Sequence, residues 1–226
     1  MEIEILHLIE GARNARGLTV VIDVFRAFTT ACYIMRDNPA HLYCVGDINE
    51  AYRLKQQNPA SVLIGERNEQ MPEGFDFANS PTQIEHFPFA GTTVIHTTSS
   101  GTQGVVHAVH ADEIITGSFV NIGAVISYIR NKSPRRLSLV CMGYAAQYPT
   151  DEDTFCAEYI RDSLTGQPPS FESLREILRR GSGSRFFDPV KQAYAPERDF
   201  YLCTTLNTFD FVLRAVPGSP VEMMRC

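Results

Sequence analysis

Hydrophobic and polar positions follow two alternating periods along the chain. Short apolar, β-branched runs predict strands at "LTVVID" (18–23), "HLYCV" (41–45), "SVLIG" (61–65), "TTVIHTT" (92–98), "DEIITG" (112–117) and "RLSLVCMG" (136–143). Continuous apolar runs of this kind suit strands of a parallel sheet covered on both faces. Helical spacing predicts a helix over "RAFTTACYIMR" (26–36), with Ala27, Ala31 and Ile34 on one face. "DINEAYRLKQQ" (47–57) predicts another, opened by a capping box from Asp47 to Glu50. "SSGTQGVVHAVHA" (99–111) reads as a small-residue turn running into a helix, and "FVNIGAVISYIRNK" (119–132) as a further helix. "TDEDTFCAEYIRDSL" (150–164) is amphipathic, with an acidic first turn that the helix dipole favours. Strands alternating with helices predict a mainly parallel sheet between two helical layers.

Beyond residue 166 the periodicity weakens. "SFESLREILRR" (170–180) predicts a helix, "GSGS" (181–184) a flexible break and "DFVLRAV" (210–216) a late strand. No internal repeat or linker interrupts the pattern, so residues 1–226 read as one domain.

One stretch fits neither period. "GERNEQMPEGFDFANSP" (65–81) holds two glycines, two prolines and four acids in seventeen residues. Connections of this length are mostly functional or disordered. Phe75 and Phe77 give it apolar anchors that disordered segments lack. The expectation is an ordered loop, with both rings packed down and Glu66, Asp76 and Asn79 turned toward a pocket. In the blander reading Asp76 and Asn79 only cap turns. The loop ends where Ser80 can cap a helix with Pro81 at its first position.

Bulk properties exclude several classes. At 226 residues and 44% hydrophobic the chain can bury a full core. Its net charge is −6 with the signs interspersed, which argues against a nucleic-acid groove or a polybasic membrane surface. No apolar run approaches the roughly 18 residues of a membrane span, and "MEIEILHLIEG" is acidic where a signal peptide is basic. Six scattered cysteines without a CxxC pair read as free thiols in a reducing cytoplasm. His107 and His110 lack the further ligands that zinc needs.

In open parallel sheets, ligands bind beyond the carboxyl ends of the strands. Asp23 closes the first strand there, followed by Arg26; Glu66 and Arg67 follow the third strand. Ser99, Ser100, Gly101 and Thr102 follow the "TTVIH" strand, and Glu152 and Asp153 follow "LVCM". Oxygen donors suit Mg²⁺, while arginine and backbone N–H groups suit phosphate. Asp23, Glu66 and Asp153 are the expected metal carboxylates, with Glu152 and Asp76 as further candidates. The expected catalytic set is Asp23, Arg26, Glu66 and Asp153. Arg67, Asn79, Ser99, Ser100, Gly101 and Thr102 are expected to bind substrate. Each acid also has a bland reading as a helix cap or dipole partner. There is no GxxxxGK[ST], no cysteine followed six residues later by arginine, no DxD at Asp23, and no GxSxG or HExxH.

Four segments resemble the signatures of the 2-phosphosulfolactate phosphatase family, in the family's order. They are "VVIDVFRAFTTA" (20–31), "GERNEQMPEGFDFANSP" (65–81), "TTSSGT" (97–102) and "EDTFCA" (152–157). The resemblance implies a three-layer α/β/α fold of that family's own type and a Mg²⁺-dependent phosphatase. The implied substrate is a phosphorylated 2-hydroxy acid, notably 2-phosphosulfolactate on the route to coenzyme M. Ser100 stands where the family usually has Asn, Phe25 and Phe28 where it has smaller residues, and Glu158 where Gly is common. These departures bear on the substrate more than on the type of reaction. Two other readings stay open: a non-catalytic binder of an anionic metabolite, and a phosphotransferase using a nucleotide. The expected partners are a small phosphorylated substrate and at most a second copy of the chain.

Overall fold

The computed structural model describes residues 1–166 and 168–226. Its strands are β1 (Glu2–His7), β2 (Leu18–Ile22), β3 (His41–Cys44), β4 (Val62–Gly65), β5 (Phe77–Ala78), β6 (Thr93–Thr97), β7 (Glu113–Gly117), β8 (Arg136–Cys141), β9 (Leu213–Val216) and β10 (Val221–Arg225). Its helices are α1 (Leu8–Asn14), α2 (Ala27–Met35), α3 (Ile48–Gln57), α4 (Pro81–Ile84), α5 (Gly101–His107), α6 (Ile122–Lys132), α7 (Asp151–Thr165), α8 (Phe171–Arg180) and α9 (Glu197–Cys203).

All these strands join one sheet in the order β1-β8-β2-β7-β9-β10-β3-β6-β4-β5. Two parallel blocks, β1-β8-β2-β7 and β3-β6-β4-β5, are bridged by the antiparallel pair β9-β10. The expected mainly parallel, three-layer arrangement is therefore observed. Along β2 alternate residues serve different layers: Leu18, Val20 and Ile22 join the core under α6 and α7, while Val21 joins the core with α2. Leu137, Leu139 and Cys141 of β8 alternate with Val140 in the same way. Burial on both faces explains why these strands carry no polar alternation.

Local departures have physical causes. Helix α2 has no solvent face: all nine residues are buried against α4, α5 and the 3-10 turn Phe119–Asn121. Asp47 caps α3 by accepting from the N–H of Asn49, while Glu50 pairs with Arg53 instead of completing a box. Pro81 does open α4, but the Ser80 hydroxyl donates to Asp199 rather than capping. "GSGS" is not a flexible break. It enters a 3-10 turn, Ser182–Phe187, in which Gly183 is buried. A Cβ on Gly183 would lie 2.6 Å from Phe200 Cε2 and 2.8 Å from the Leu178 carbonyl oxygen, so the turn needs glycine there. Five cysteines are buried and Cys226 is exposed, all as free thiols. No helix among the described residues is long and apolar enough to cross a membrane.

Candidate active site

The two parallel blocks meet at one edge. Five strand spacings separate β2 from β6, roughly 24 Å in a flat sheet. Yet Gly101, at the start of α5, packs directly on Asp23 and Ala27, so the sheet curls until the ends of β2 and β6 face each other. A Cβ on Gly101 would lie 2.5 Å from Ala27 Cβ and 2.9 Å from Asp23 Oδ2. Gly101→Ala should therefore push α5 off Asp23, costing about 1–3 kcal/mol as overpacking does. Thermal melts and turnover check this together, and a variant that keeps both would refute the close packing.

Asp23, Phe25, Arg26, Glu66, Asn79, Ser99 and Ser100 share a cavity of ≈ 40 Å³ with Asn68, Glu69, Gly143, Tyr144, Ala145 and Arg185. Asp23 Oδ1 accepts the N–H of Ala27 at 2.9 Å, closing the turn from β2 into α2. Glu66 is held by Ser99: its Oε1 accepts the N–H at 2.6 Å and its Oε2 the hydroxyl at 3.1 Å. Asn79 Oδ1 lies 3.3 Å from Nε2 of buried His96, whose pKa is lowered to about 4 by burial and then by Arg67. Ser100 Oγ accepts the N–H of Ala146 at 2.7 Å. The loop 65–81 is ordered, with Phe75 buried against Tyr52 and Phe77 packed on Phe87.

Six expected members, Asp76, Arg67, Thr102, Gly101, Asp153 and Glu152, do not line the cavity. Asp76 accepts the N–H of Leu63 at 2.7 Å and pairs with Lys55 at 3.1 Å, so it fixes strand register and does not line the cavity. Arg67 donates to the backbone oxygens of Glu66 and Gly46 and to Thr97 Oγ1. It too does not line the cavity, which removes it from the position of an anion clamp. Thr102 ties its own turn, its N–H bonded to Thr98 Oγ1. Gly101 packs against Asp23, with its N–H near enough to hold that carboxyl's pKa down slightly. Asp153 is buried beside the cavity, with Oδ1 accepting from Val24 N and Oδ2 from Gly143 N, both at 2.8 Å. It straps the ends of β2 and β8 together.

The profile of the 2-phosphosulpholactate phosphatase family matches residues 3–217. The chain belongs to that family. It is 34% identical to a "Probable 2-phosphosulfolactate phosphatase" of Carboxydothermus hydrogenoformans, over 94% of this chain and 92% of the other. It is 30% identical to a protein of the same name from Thermotoga petrophila, over 88% and 89% of the two chains. A Bacillus subtilis protein so named is 28% identical over 87% and 86%. The family's members are phosphoric monoester hydrolases, and the cavity has the anionic and cationic groups that such chemistry uses.

The family resemblance implies Mg²⁺, and the donors present can be tested against it. Asp23 and Glu66 face the cavity as oxygen donors with no thiol or imidazole lining it. Among the described residues no three His, Cys, Asp or Glu side chains converge to hold a metal by themselves. Mg²⁺ commonly takes one or two carboxylates plus water and phosphate oxygens, so the Asp23–Glu66 pair fits. The electrostatics agree. Burial pushes Asp23 up to about 7, with Glu66 and Glu152 adding to it against the N–H of Ala27 and Gly101. Asp153 is raised by burial, then by Glu152 and Asp23; Glu152 is raised by burial, with Arg185 opposing. Carboxyls this crowded favour a divalent partner.

Sequence reasoning missed Arg185, Glu69, Tyr144 and Asp199. Arg26 lines the cavity, but its Nη1 donates to Asp199 at 2.6 Å and to the Tyr194 carbonyl. Asp199, fully buried, also accepts from Ser80 Oγ, Thr82 N and Thr82 Oγ1. A larger groove of ≈ 890 Å³ beside α5 and the β9-β10 pair contains none of the expected site residues.

Proposed function

We propose that the chain is a Mg²⁺-dependent phosphatase that hydrolyses 2-phosphosulfolactate to sulfolactate and phosphate. The observation that carries this reading is the meeting of Asp23 and Glu66, from two separate blocks of the sheet, in one cavity beside Arg26, Ser99 and Ser100. The names of the relatives supply the substrate. Asp23 and Glu66 would hold the metal, with Asp153 and Glu152 behind them setting the local charge. When bound, Mg²⁺ would offset the charge that develops on the phosphoryl oxygens. With Asn79 Oδ1 turned to His96, its amide N–H groups are left to donate to a substrate oxygen. Ser100 Oγ accepts from Ala146, so its own proton is available to phosphate. Arg26, anchored by Asp199, brings positive charge to the wall without swinging free.

Phosphate release from 2-phosphosulfolactate should require Mg²⁺, vanish in EDTA and return when Mg²⁺ is restored. Undiminished turnover in chelator, or thermal stabilisation by the substrate without any release, would end the proposal. A second readout needs no turnover. Asp23, at about 7 when folded and 3.8 as an isolated group, holds a proton in the metal-free fold that the unfolded chain has lost. The metal-free protein is therefore stabilised below about pH 4 and loses that contribution as pH rises toward 7. Mg²⁺ binds the deprotonated form, so the rise in Tm at fixed Mg²⁺ should grow between about pH 5 and pH 8. A rise independent of pH would remove Asp23 as a ligand.

A further inference from the structure

2-Phosphosulfolactate carries a phosphate, a carboxylate and a sulfonate, so each anion needs its own partner at the cavity wall. It also carries more negative charge than Arg26 can answer, because Arg26 is already matched by a fully buried carboxylate at 2.6 Å.

The wall has one place built to yield. Arg185, from the 3-10 turn Ser182–Phe187, lines the cavity and pairs through Nε with Glu69 Oε1 at 3.2 Å. Its Nη2 donates to the Phe25 carbonyl at 3.2 Å. The guanidinium centre lies 5.9 Å from the Phe25 ring, 5.8 Å from Tyr144 and 5.1 Å from Phe186. Such a cradle fixes the plane of the guanidinium while leaving an edge to a carboxylate. The carboxylate there now belongs to the protein. Glu69 sits in a tight reversal in which Arg67 and Gln70 bond each other reciprocally, and Asn68 and Glu69 have φ of 53° and 66°. Positive φ at a non-glycine residue stores strain. The N–H of Glu69 donates to Glu66 Oε2 at 3.0 Å, so the backbone of the turn stays in place and the Glu69 side chain is the part that swings away. Arg185 and Glu69 side chains are 16% and 18% exposed, so their pair lies at the lip and not in the floor.

We propose that Arg185 recognises the substrate's second anion, its carboxylate or sulfonate, and that Glu69 holds the guanidinium until that anion displaces it. This rests on the phosphatase reading above and adds the residue that separates a phosphorylated hydroxy acid from a plain phosphomonoester. The exchange of one anion for another keeps Arg185 paired throughout. Glu69 therefore acts as a competitor built into the site.

The test compares 2-phosphosulfolactate with phenyl phosphate, both with Mg²⁺, in the wild type, Arg185→Gln, Arg185→Lys and Glu69→Gln. Arg185→Gln should raise KM for 2-phosphosulfolactate about 10- to 100-fold more than for phenyl phosphate, the range expected for a charge-assisted pair. Arg185→Lys should recover only part of this, because lysine cannot fork onto the anion. Glu69→Gln should lower KM for 2-phosphosulfolactate by about 3-fold, since the competitor loses its charge. Equal losses on both substrates in Arg185→Gln, or weaker binding in Glu69→Gln, would overturn the proposal. Glu69→Gln keeps the test alive should the Arg185 variants fold poorly. If the wild type releases phosphate from neither substrate, the phosphatase reading fails by itself. Calorimetry with sulfolactate then decides the role of Arg185: a loss of about 10- to 100-fold in Arg185→Gln supports it, and unchanged affinity overturns it.

Discussion

Asp23→Asn should lower kcat/KM on the order of 10³-fold or more, as removal of a residue central to the chemistry does. The metal-free fold should meanwhile become no less stable at about pH 8, where the wild-type carboxyl is ionised. Asparagine matches aspartate in size, and its Oδ1 can still accept the N–H of Ala27. It weakens the approach of the Gly101 N–H, a loss of at most about 1 kcal/mol. Against that, it removes a buried negative charge that Glu66 and Glu152 repel. What the variant loses is the charged metal ligand that only the carboxylate provides. Phosphate release and Tm in EDTA, read on the same samples, separate the two effects. Activity within about 10-fold of wild type would mean that Asp23 only closes a turn, the bland reading of an acid at a strand end.

How much of this site was legible in the sequence depended on the range of the contacts. Asp23 and Glu66 lie at the carboxyl ends of strands whose apolar runs stand out, and parallel sheets place ligands at those ends. Phe75 and Phe77 announced an ordered loop because rings in a polar stretch need somewhere to pack. Asp76 failed because its oxygens are claimed by partners that the local pattern does not place beside it, the N–H of Leu63 and the amine of Lys55. Arg67 was assigned to the pocket by position alone, and the carbonyls of Glu66 and Gly46 claim it instead.

The last third carried the least signal and holds two decisive side chains. Arg185 follows "GSGS", whose glycines read as flexibility. In the fold Gly183 is there for closeness, since Phe200 leaves no space for a Cβ. β10 was not anticipated, because "VEMMR" pairs antiparallel with β3 and β9 across the sheet, a contact that local patterning cannot report. The curl that lays Gly101 on Asp23 is likewise a property of the whole sheet.

Asp199→Ala should be among the most destabilising single substitutions in the protein. Asp199 is fully buried, and its two oxygens accept from Arg26 Nη1, Ser80 Oγ, Thr82 N and Thr82 Oγ1. It joins α9 to the start of α2 and to the turn that opens α4. Alanine strands a buried guanidinium and leaves the Ser80 and Thr82 donors without their acceptor. Breaking a buried pair from one side costs about 3–5 kcal/mol. For a chain of this length that is a fall in Tm of about 6–20 °C. Combining it with Arg26→Met removes the stranded charge and should recover part of the loss, with the Ser80 and Thr82 share remaining. Urea denaturation of the two singles and the double measures each portion. Asp199→Asn keeps the shape without the charge and should fall between wild type and alanine in stability. Its turnover should drop further than its stability implies, because Arg26 is then free to move toward Asp23 and compete with the metal. A double variant no better than Asp199→Ala, together with full activity in Asp199→Asn, would show that the pair neither anchors Arg26 nor matters to the cavity it lines.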